Sequence, residues 1–248
     1  MDSQVSVPDE PRSPWERAIR QFAVRGLLLC LTLFLIEVGL FFFVSSTPYF
    51  PGEQTLYTSQ ANQLSSQVSN STSYQLLFQI FTNNLRIALI EMIPIVGTIF
   101  FAISIYATAR VTQAIAGIDG VPALFLVVLL LVVFPHSFIE LPAYAVATAE
   151  GLYLFYAIVK WLGATREGDP GRMGRELWQL AINLTIVTVM LAVAAVFETV
   201  EIVLGTHFWI TWVPFIGMVL GVLWLNRRLS KIRRDEDGET VAAPTGTL

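Results

Sequence analysis

Cysteine and histidine are almost absent from this chain. Cys30 is the only cysteine among 248 residues, and the two histidines are His136 and His207. A single cysteine can form neither an intramolecular disulfide nor a cysteine-based metal cluster. The sequence therefore predicts no intramolecular disulfide and no cysteine-based metal cluster. No cofactor is expected, and no residue is assigned as a metal ligand.

Charge is also scarce, and so are the motifs of soluble enzymes. Charged residues make up 14% of the chain, whereas soluble domains carry about a quarter. No phosphate-binding loop, zinc-ligand spacing or serine-nucleophile motif occurs. The basic residues flank apolar segments and are not interleaved with stacking aromatics, so no nucleic-acid binding is expected. The sequence predicts a protein that is not an enzyme.

Long apolar runs are what the chain does have, and 54% of its residues are apolar. Runs of about 20 apolar residues are long enough to cross the lipid bilayer as helices. We predict an all-α, polytopic transmembrane bundle that occupies residues 22–226. Its six membrane segments are residues 22–44, 85–108, 121–134, 136–162, 177–204 and 208–225.

The third of these segments is short. Fourteen helical residues span only ~21 Å, whereas the hydrocarbon core is ~30 Å thick. Residues 121–143 therefore have an alternative, a hairpin within the membrane that turns at Pro135. Both versions return the chain to the same side.

The basic residues predict the orientation. If six segments cross, fourteen of the fifteen Lys and Arg residues lie on one side, and this count places Arg110 in a link on that side. Arg86 is the exception. The sequence thus predicts a multi-pass protein of the cell membrane whose terminal tails, residues 1–21 and 227–248, are both cytoplasmic. Residues 1–14 and 235–248 are predicted to be disordered.

The predicted outer loop, residues 45–84, is rich in Ser, Thr, Gln and Asn. It is interpreted as a solvated spacer. Asn70-Ser71-Thr72 is a glycosylation sequon, which has meaning only in a host that glycosylates its surface.

Ionisable residues recur within the apolar segments. His136 and Glu140 are four residues apart and share a helix face. On the predicted topology, segments one, two, four and five each bring an acid to a similar outer depth. The predicted intramembrane cluster consists of Glu37, Asn84, Arg86, Glu91, His136, Glu140, Glu198 and Glu201.

Three interpretations of this cluster remain open. The side chains can lock the bundle through hydrogen bonds, as polar residues in membrane helices often do. They can also line a cavity for a cation, a proton or an amine. A metal site is the third interpretation, although one histidine with carboxylates is a poor transition-metal set.

Small residues and prolines predict close packing and kinks. The Gly217-xxx-Gly221 motif is equally consistent with self-association and with packing inside the chain. The predicted packing and kink residues are Pro94, Gly97, Pro135, Pro142, Ala143, Gly151, Gly217 and Gly221.

The stretch from Phe81 to about Leu154 resembles the stage II sporulation protein M family of membrane proteins. The shared residues are Phe81-Thr82-Asn83-Asn84-Leu85 with Ala88-Leu89, Gly97, Pro135-His136, Glu140-Leu141-Pro142-Ala143, and the Ala-Ala-Val-Phe-Glu run that ends at Glu198. The chain departs from the family at Ala109-Arg110-Val111-Thr112, where an Asn-Gly pair is usual.

The resemblance implies a membrane scaffold rather than an enzyme. In spore-forming bacteria the family member belongs to a complex that remodels the cell wall, and its partners cut the peptidoglycan. We therefore expect a non-catalytic scaffold or subunit of an envelope complex, with other membrane or envelope proteins as partners. The alternative is a permease-type subunit or small transporter that uses the intramembrane cluster.

Overall fold

The computed structural model describes residues 26–163 and 170–241, so the predictions for residues 1–21 and 242–248 lie outside the described residues. The described residues form helices and no strands, which confirms the all-α prediction. In chain order the helices are α1 (Leu27–Ser46), α2 (Glu53–Asn70), α3 (Ser73–Glu91), α4 (Val96–Asp119), α5 (Ala123–Val128), α6 (Ser137–Gly163), α7 (Pro170–Leu204) and α8 (Trp212–Val241). A π-helical turn, Leu129–Val133, follows α5, and a 3₁₀ turn, Gly205–Thr211, precedes α8.

Four helical stretches are long and apolar enough to cross a membrane. They are Leu27–Ser46, Val96–Asp119, Ser137–Leu162 and Met173–Arg228. The last has 56 residues and contains the 3₁₀ turn. Six separate spans are therefore not evident in the described part of the chain. Many large apolar side chains are exposed on these helices, as expected of surfaces that contact lipid.

The predicted loop 45–84 is helical over most of its length. Helix α2 is polar, and Ala61 is its one buried residue among those described. Helix α3 begins with a capping box, in which Thr72 and Gln75 satisfy each other's backbone N–H groups. Asn70 is exposed at the end of α2, and its glycosylation stays a prediction.

The predicted second segment, 85–108, is divided into two helices, and this corrects the sequence-based topology. Pro94 lies in the break between α3 and α4 and has no N–H with which to continue a helix. Ile95 has a positive φ of 66°, a strained conformation for a β-branched residue. Gly97 follows, and a Cβ there would collide with the Glu91 carbonyl. The chain reverses at this point instead of passing through it.

Contacts along α3 and α6 show that these helices run in the same direction. The Asn84 side chain bonds Glu140 near the start of α6. Seven residues later, the Glu91 carbonyl lies 2.7 Å from the position of a Cβ on Gly151. The turn after α3 therefore lies beside the middle of α6.

Helix α4 returns from that turn to the end of the bundle where α1 ends. Ser104 contacts Glu91 near the turn. Six residues further along α4, the Arg110 side chain bonds the carbonyls of Val44 and Thr47. Helices α3 and α4 consequently form a hairpin that enters and leaves at one end.

The short segment after α4 does not cross the bundle. Helix α5 and the π turn follow the Gly120 cap of α4 and comprise only eleven residues, about 16 Å of helix. The Ser137 hydroxyl bonds the Leu130 carbonyl and closes the break before α6. Since α6 begins beside Asn84 and continues past Gly151, the predicted segments 121–134 and 136–162 make a single net passage.

Residues 200–248 form a compact unit separate from residues 1–199. In this unit, helix α8 continues to Val241, so the predicted tail 227–248 is helical over most of its length. Gly217 and Gly221 are exposed, and a Cβ on either would meet nothing within 4 Å among the described residues. Self-association through them stays a prediction.

Candidate functional site

The start of α6 presents Glu140 to two hydrogen-bond donors. The Asn84 amide donates to Glu140 Oε1 across 3.0 Å, and the Tyr144 hydroxyl donates to the same atom across 2.9 Å. Tyr144 lies one turn along α6 from Glu140, so both side chains share a face. Because two donors hold one oxygen, the orientation of this carboxylate is fixed.

His136 and Glu198 lie beside Glu140. One ligand atom from each of the three side chains can be chosen so that all lie within 4.8 Å of one another. His136 comes from the turn before α6, and Glu198 from the later part of α7. All three residues are half-buried. The predicted His136–Glu140 pair is therefore part of a triad that joins α6 to α7.

Glu91 lies deeper, at the end of α3. It is 1% exposed, and its Oε1 accepts a hydrogen bond of 3.1 Å from the Ser104 hydroxyl. The Thr148 hydroxyl is adjacent but does not reach full hydrogen-bond geometry. Glu91 Oε2 has no hydrogen-bond partner among the described residues.

Glu37 is buried in the middle of α1. It is 4% exposed, and its Oε2 also lacks a hydrogen-bond partner in the part of the chain that the structure describes. The carboxylates of Glu91 and Glu140 are close enough to interact with it electrostatically. Two deeply buried carboxylates thus have an oxygen that no described donor satisfies.

Tyr144 was not predicted from the sequence, although it is central to the site. It is buried, and it interacts electrostatically with Glu91, Glu140 and Glu198. The helical spacing of four that pairs His136 with Glu140 also pairs Glu140 with Tyr144, so this signal was available. We name the whole set the Glu140 cluster: Glu37, Asn84, Glu91, His136, Glu140, Tyr144 and Glu198.

Two other residues, Arg86 and Glu201, were also predicted for the cluster. The Arg86 side chain is exposed on α3. Glu201 belongs to the second unit, where the Thr211 hydroxyl lies 3.4 Å from its Oε1. Glu150, which the sequence places deeper in α6, accepts a 2.6 Å hydrogen bond from the Asn183 amide.

The prolines and small residues of α6 shape the cluster. Pro135 is fully buried in the turn before the helix, and Pro142 lies inside it. Ala143 is fully buried beside Tyr144. Gly151 allows the backbone of Glu91 and Met92 to approach closely, which is why no larger residue fits there.

Arg110 forms a second polar site at the end of α1. It is 1% exposed and donates hydrogen bonds of 2.8 to 3.2 Å to the carbonyls of Val44, Thr47 and Pro48. A cation is favoured at this position because the last carbonyls of a helix carry partial negative charge. The position contradicts the predicted link on the side of the N-terminal tail, since Arg110 lies at the opposite end of α1.

Helix α2 is attached to the bundle through Arg110 and its neighbours. The guanidinium lies over the rings of Tyr49 and Tyr106 and is 3.6 Å from the carboxylate of Glu53, the first residue of α2. The Tyr106 hydroxyl donates a short hydrogen bond to Glu53, and this bond lowers the pKa of the Glu53 carboxyl. We name this group, Arg110 with Tyr49, Glu53 and Tyr106, the Arg110 clamp.

The two sites differ in the chemistry that they permit. The Arg110 clamp positions α2 through hydrogen bonds and an ion pair, in which Arg110 Nε lies 3.6 Å from Glu53 and has no hydrogen-bond partner among the described residues. The Glu140 cluster combines four carboxylates with one imidazole, a set suited to binding a proton or a cation.

Comparison with known proteins places the chain in a family. The family model described as Stage II sporulation protein M matches residues 29–200, a longer stretch than the resemblance over residues 81–154. The match contains every residue of the Glu140 cluster and of the Arg110 clamp. No curated protein and no solved structure matches the chain. The chain belongs to the stage II sporulation protein M family.

Proposed function

We propose that this protein is a non-catalytic scaffold, or scaffold-like subunit, of an envelope complex in the cell membrane. Family membership and four stretches suited to crossing a membrane support this proposal. The observation that carries it is the Arg110 clamp, which holds the polar helix α2 against the end of the bundle. A fixed helix loses little conformational entropy when a partner docks on it.

The surface of α2 suits a protein partner. Ser59, Gln63 and Ser66 are exposed, and they lie on the side opposite the buried Ala61. The helix contains one charged residue, Glu53, which the clamp already engages. Its exposed surface is therefore uncharged and mostly polar, with Leu56 and Leu64 as exposed apolar side chains. Such a surface can form hydrogen bonds and apolar contacts without desolvating a charge.

The basic residues support an orientation with both termini in the cytoplasm. With α3 and α4 as a hairpin, Arg110 joins Arg86 on the side away from the N-terminal tail. Thirteen of the fifteen basic residues still favour the cytoplasmic side. In this orientation α2 faces the cell envelope.

Affinity capture from native membranes tests the scaffold. We expect a reproducible set of envelope proteins with the wild type, and loss of that set with the double substitution Ser59→Arg and Gln63→Arg. The matched control is Asn226→Arg, at an exposed position of α8. If the α2 variant keeps the same partners as the control, α2 is not the docking surface and the proposal fails.

The second candidate is a permease-type subunit or small transporter. The buried oxygens of Glu37 and Glu91 that lack hydrogen-bond partners among the described residues favour it, because ionisable side chains inside a membrane often mark ion or proton pathways. Its test is ion flux in proteoliposomes. A flux that disappears in Glu140→Gln but persists in Glu150→Gln would establish transport and overturn the scaffold as the main role.

A further inference from the structure

We propose that His136, Glu140 and Glu198 bind a first-row divalent cation. This inference concerns a site within the bundle and does not depend on α2 or on the scaffold role. One imidazole and two carboxylates form a mixed nitrogen and oxygen ligand set, which suits ions such as Mn²⁺, Fe²⁺ and Zn²⁺.

The first argument is the geometry of the three ligands. Their donor atoms lie within 4.8 Å of one another. An ion bound at about 2.1 Å to each would draw them to roughly 3 to 3.5 Å apart. The difference is at most about 2 Å between any two donor atoms.

The second argument is the support around Glu140. Asn84 and Tyr144 both donate to its Oε1, which fixes the carboxylate before any ion arrives. Hydrogen bonds of this kind to ligating carboxylates are typical of metal sites in proteins. The three ligand residues are half-buried, whereas Glu37 and Glu91 nearby are 4% and 1% exposed.

The third argument comes from Glu37. It is more than nine-tenths buried, it interacts electrostatically with Glu140, and its Oε2 has no hydrogen-bond partner among the described residues. Glu91 adds another buried oxygen in the same situation. Carboxylates held close together in a low-dielectric interior cannot all be ionised without a counter-charge, and a divalent cation at the triad would supply one.

The structural consequence is a link between two helices. His136 and Glu140 belong to the start of α6, while Glu198 belongs to α7. An ion shared by these residues would join the two helices at a position where Tyr144 already packs. Binding would therefore stabilise the folded bundle, because the unfolded chain does not bring the three ligands together.

The experiment is metal binding by the purified full chain in detergent after removal of metals with a chelator. In equilibrium dialysis we expect about one Mn²⁺ per chain, and at least a ~10-fold loss of affinity in His136→Asn and in Glu198→Gln. The control is His207→Asn, which changes the exposed second histidine and should bind like the wild type. Equal binding by all four proteins would overturn the proposal.

A second measurement keeps the test valid if a variant misfolds. Co²⁺ added to the wild type should show a ligand-field spectrum that differs from that of Co²⁺ in buffer, and excess Zn²⁺ should restore the buffer spectrum by displacement. The spectrum is therefore compared with that of the same Co²⁺ in protein-free buffer, and equilibrium dialysis of the folded wild type measures bound Co²⁺ directly; no bound Co²⁺ above the protein-free control would overturn the proposal without reference to any variant.

Discussion

The Arg110 clamp and the Glu140 cluster are two buried polar sites that differ in how their neighbours compensate the charged side chains. Arg110 has its guanidinium surrounded by carbonyl oxygens, two aromatic rings and a carboxylate. In the cluster, one oxygen each of Glu37 and Glu91 lacks a hydrogen-bond partner among the described residues. In the clamp the charge of Arg110 is paired with that of Glu53, whereas the cluster brings four carboxylates together with one imidazole and is suited to a bound ion or proton.

Replacing Arg110 tests the clamp and should have the largest effect. Arg110→Met keeps much of the side-chain volume but leaves the carbonyls of Thr47 and Pro48 without their cationic donor. We expect a loss of about 3 kcal/mol in the free energy of unfolding, as is usual when one partner of a buried ionic network is removed. Reversible unfolding in detergent and denaturant measures this loss.

The matched control for the clamp is Arg86→Met. Arg86 is exposed, so its replacement should change stability by less than about 0.5 kcal/mol. If the two variants lose similar amounts of unfolding free energy, the buried contacts of Arg110 do not stabilise the protein more than an exposed arginine does.

Gly97→Ala tests the hairpin turn beneath the cluster. A Cβ at this position collides with the Glu91 carbonyl, so the backbone of the turn must shift. We expect destabilisation by about 1 to 3 kcal/mol, typical of overpacking. Gly117→Ala is the control, because a Cβ there meets nothing within 4 Å among the described residues and alanine favours the helix by about 1 kcal/mol. If both substitutions stabilise the protein, the close approach of Gly97 to the Glu91 carbonyl in this turn is contradicted.

Tyr144→Phe tests whether the Tyr144 hydroxyl has a specific role in the Glu140 cluster or whether the side chain only packs in the core. The ring is retained and only the hydroxyl that donates to Glu140 is lost. Stability should fall by about 1 kcal/mol, and the affinity for Mn²⁺ should fall about 10-fold, as for other residues that orient metal ligands. Tyr156→Phe, at a side chain that is 51% exposed, should change neither quantity. Unchanged Mn²⁺ affinity in Tyr144→Phe would remove the supporting role of this hydroxyl.

Glu53→Gln should have the smallest effect and depend on pH. The hydrogen bond from Tyr106 lowers the pKa of Glu53, so its contribution to stability is present at neutral pH. The contribution is lost as pH falls through the lowered pKa, where Glu53 becomes protonated in the folded state. The melting-temperature difference between wild type and Glu53→Gln should therefore shrink in acid. A difference that grows in acid would contradict this assignment.

The sequence predicts the fold class and much of the cluster. Apolar runs and helical spacing identify the all-α membrane bundle and the shared face of His136 and Glu140. Buried acids on separate segments predict the approach of Glu37, Glu91 and Glu198, because ionisable groups in a membrane avoid lipid. The structure brings all five residues into one cluster.

The sequence does not predict the path of the chain between α1 and α6. Pro94 and Gly97 are compatible with a kink or with a reversal, and the local pattern does not distinguish them. The predicted topology crosses the membrane three times between residues 85 and 162, whereas the hairpin and the single passage through residues 121–162 cross it once. Because the difference is two crossings, α6 ends on the same side in both. The count of basic residues is therefore insensitive to the difference, and only Arg110 changes sides.

One measurement compares the two sites directly. It is the rise in melting temperature that Mn²⁺ causes in wild type, Arg110→Met and Glu140→Gln, each freed of metal beforehand. Our account predicts the same rise in wild type and in the less stable Arg110→Met, and none in Glu140→Gln. A rise that persists in Glu140→Gln, or that disappears in Arg110→Met, would contradict the assignment of the ion to the Glu140 cluster.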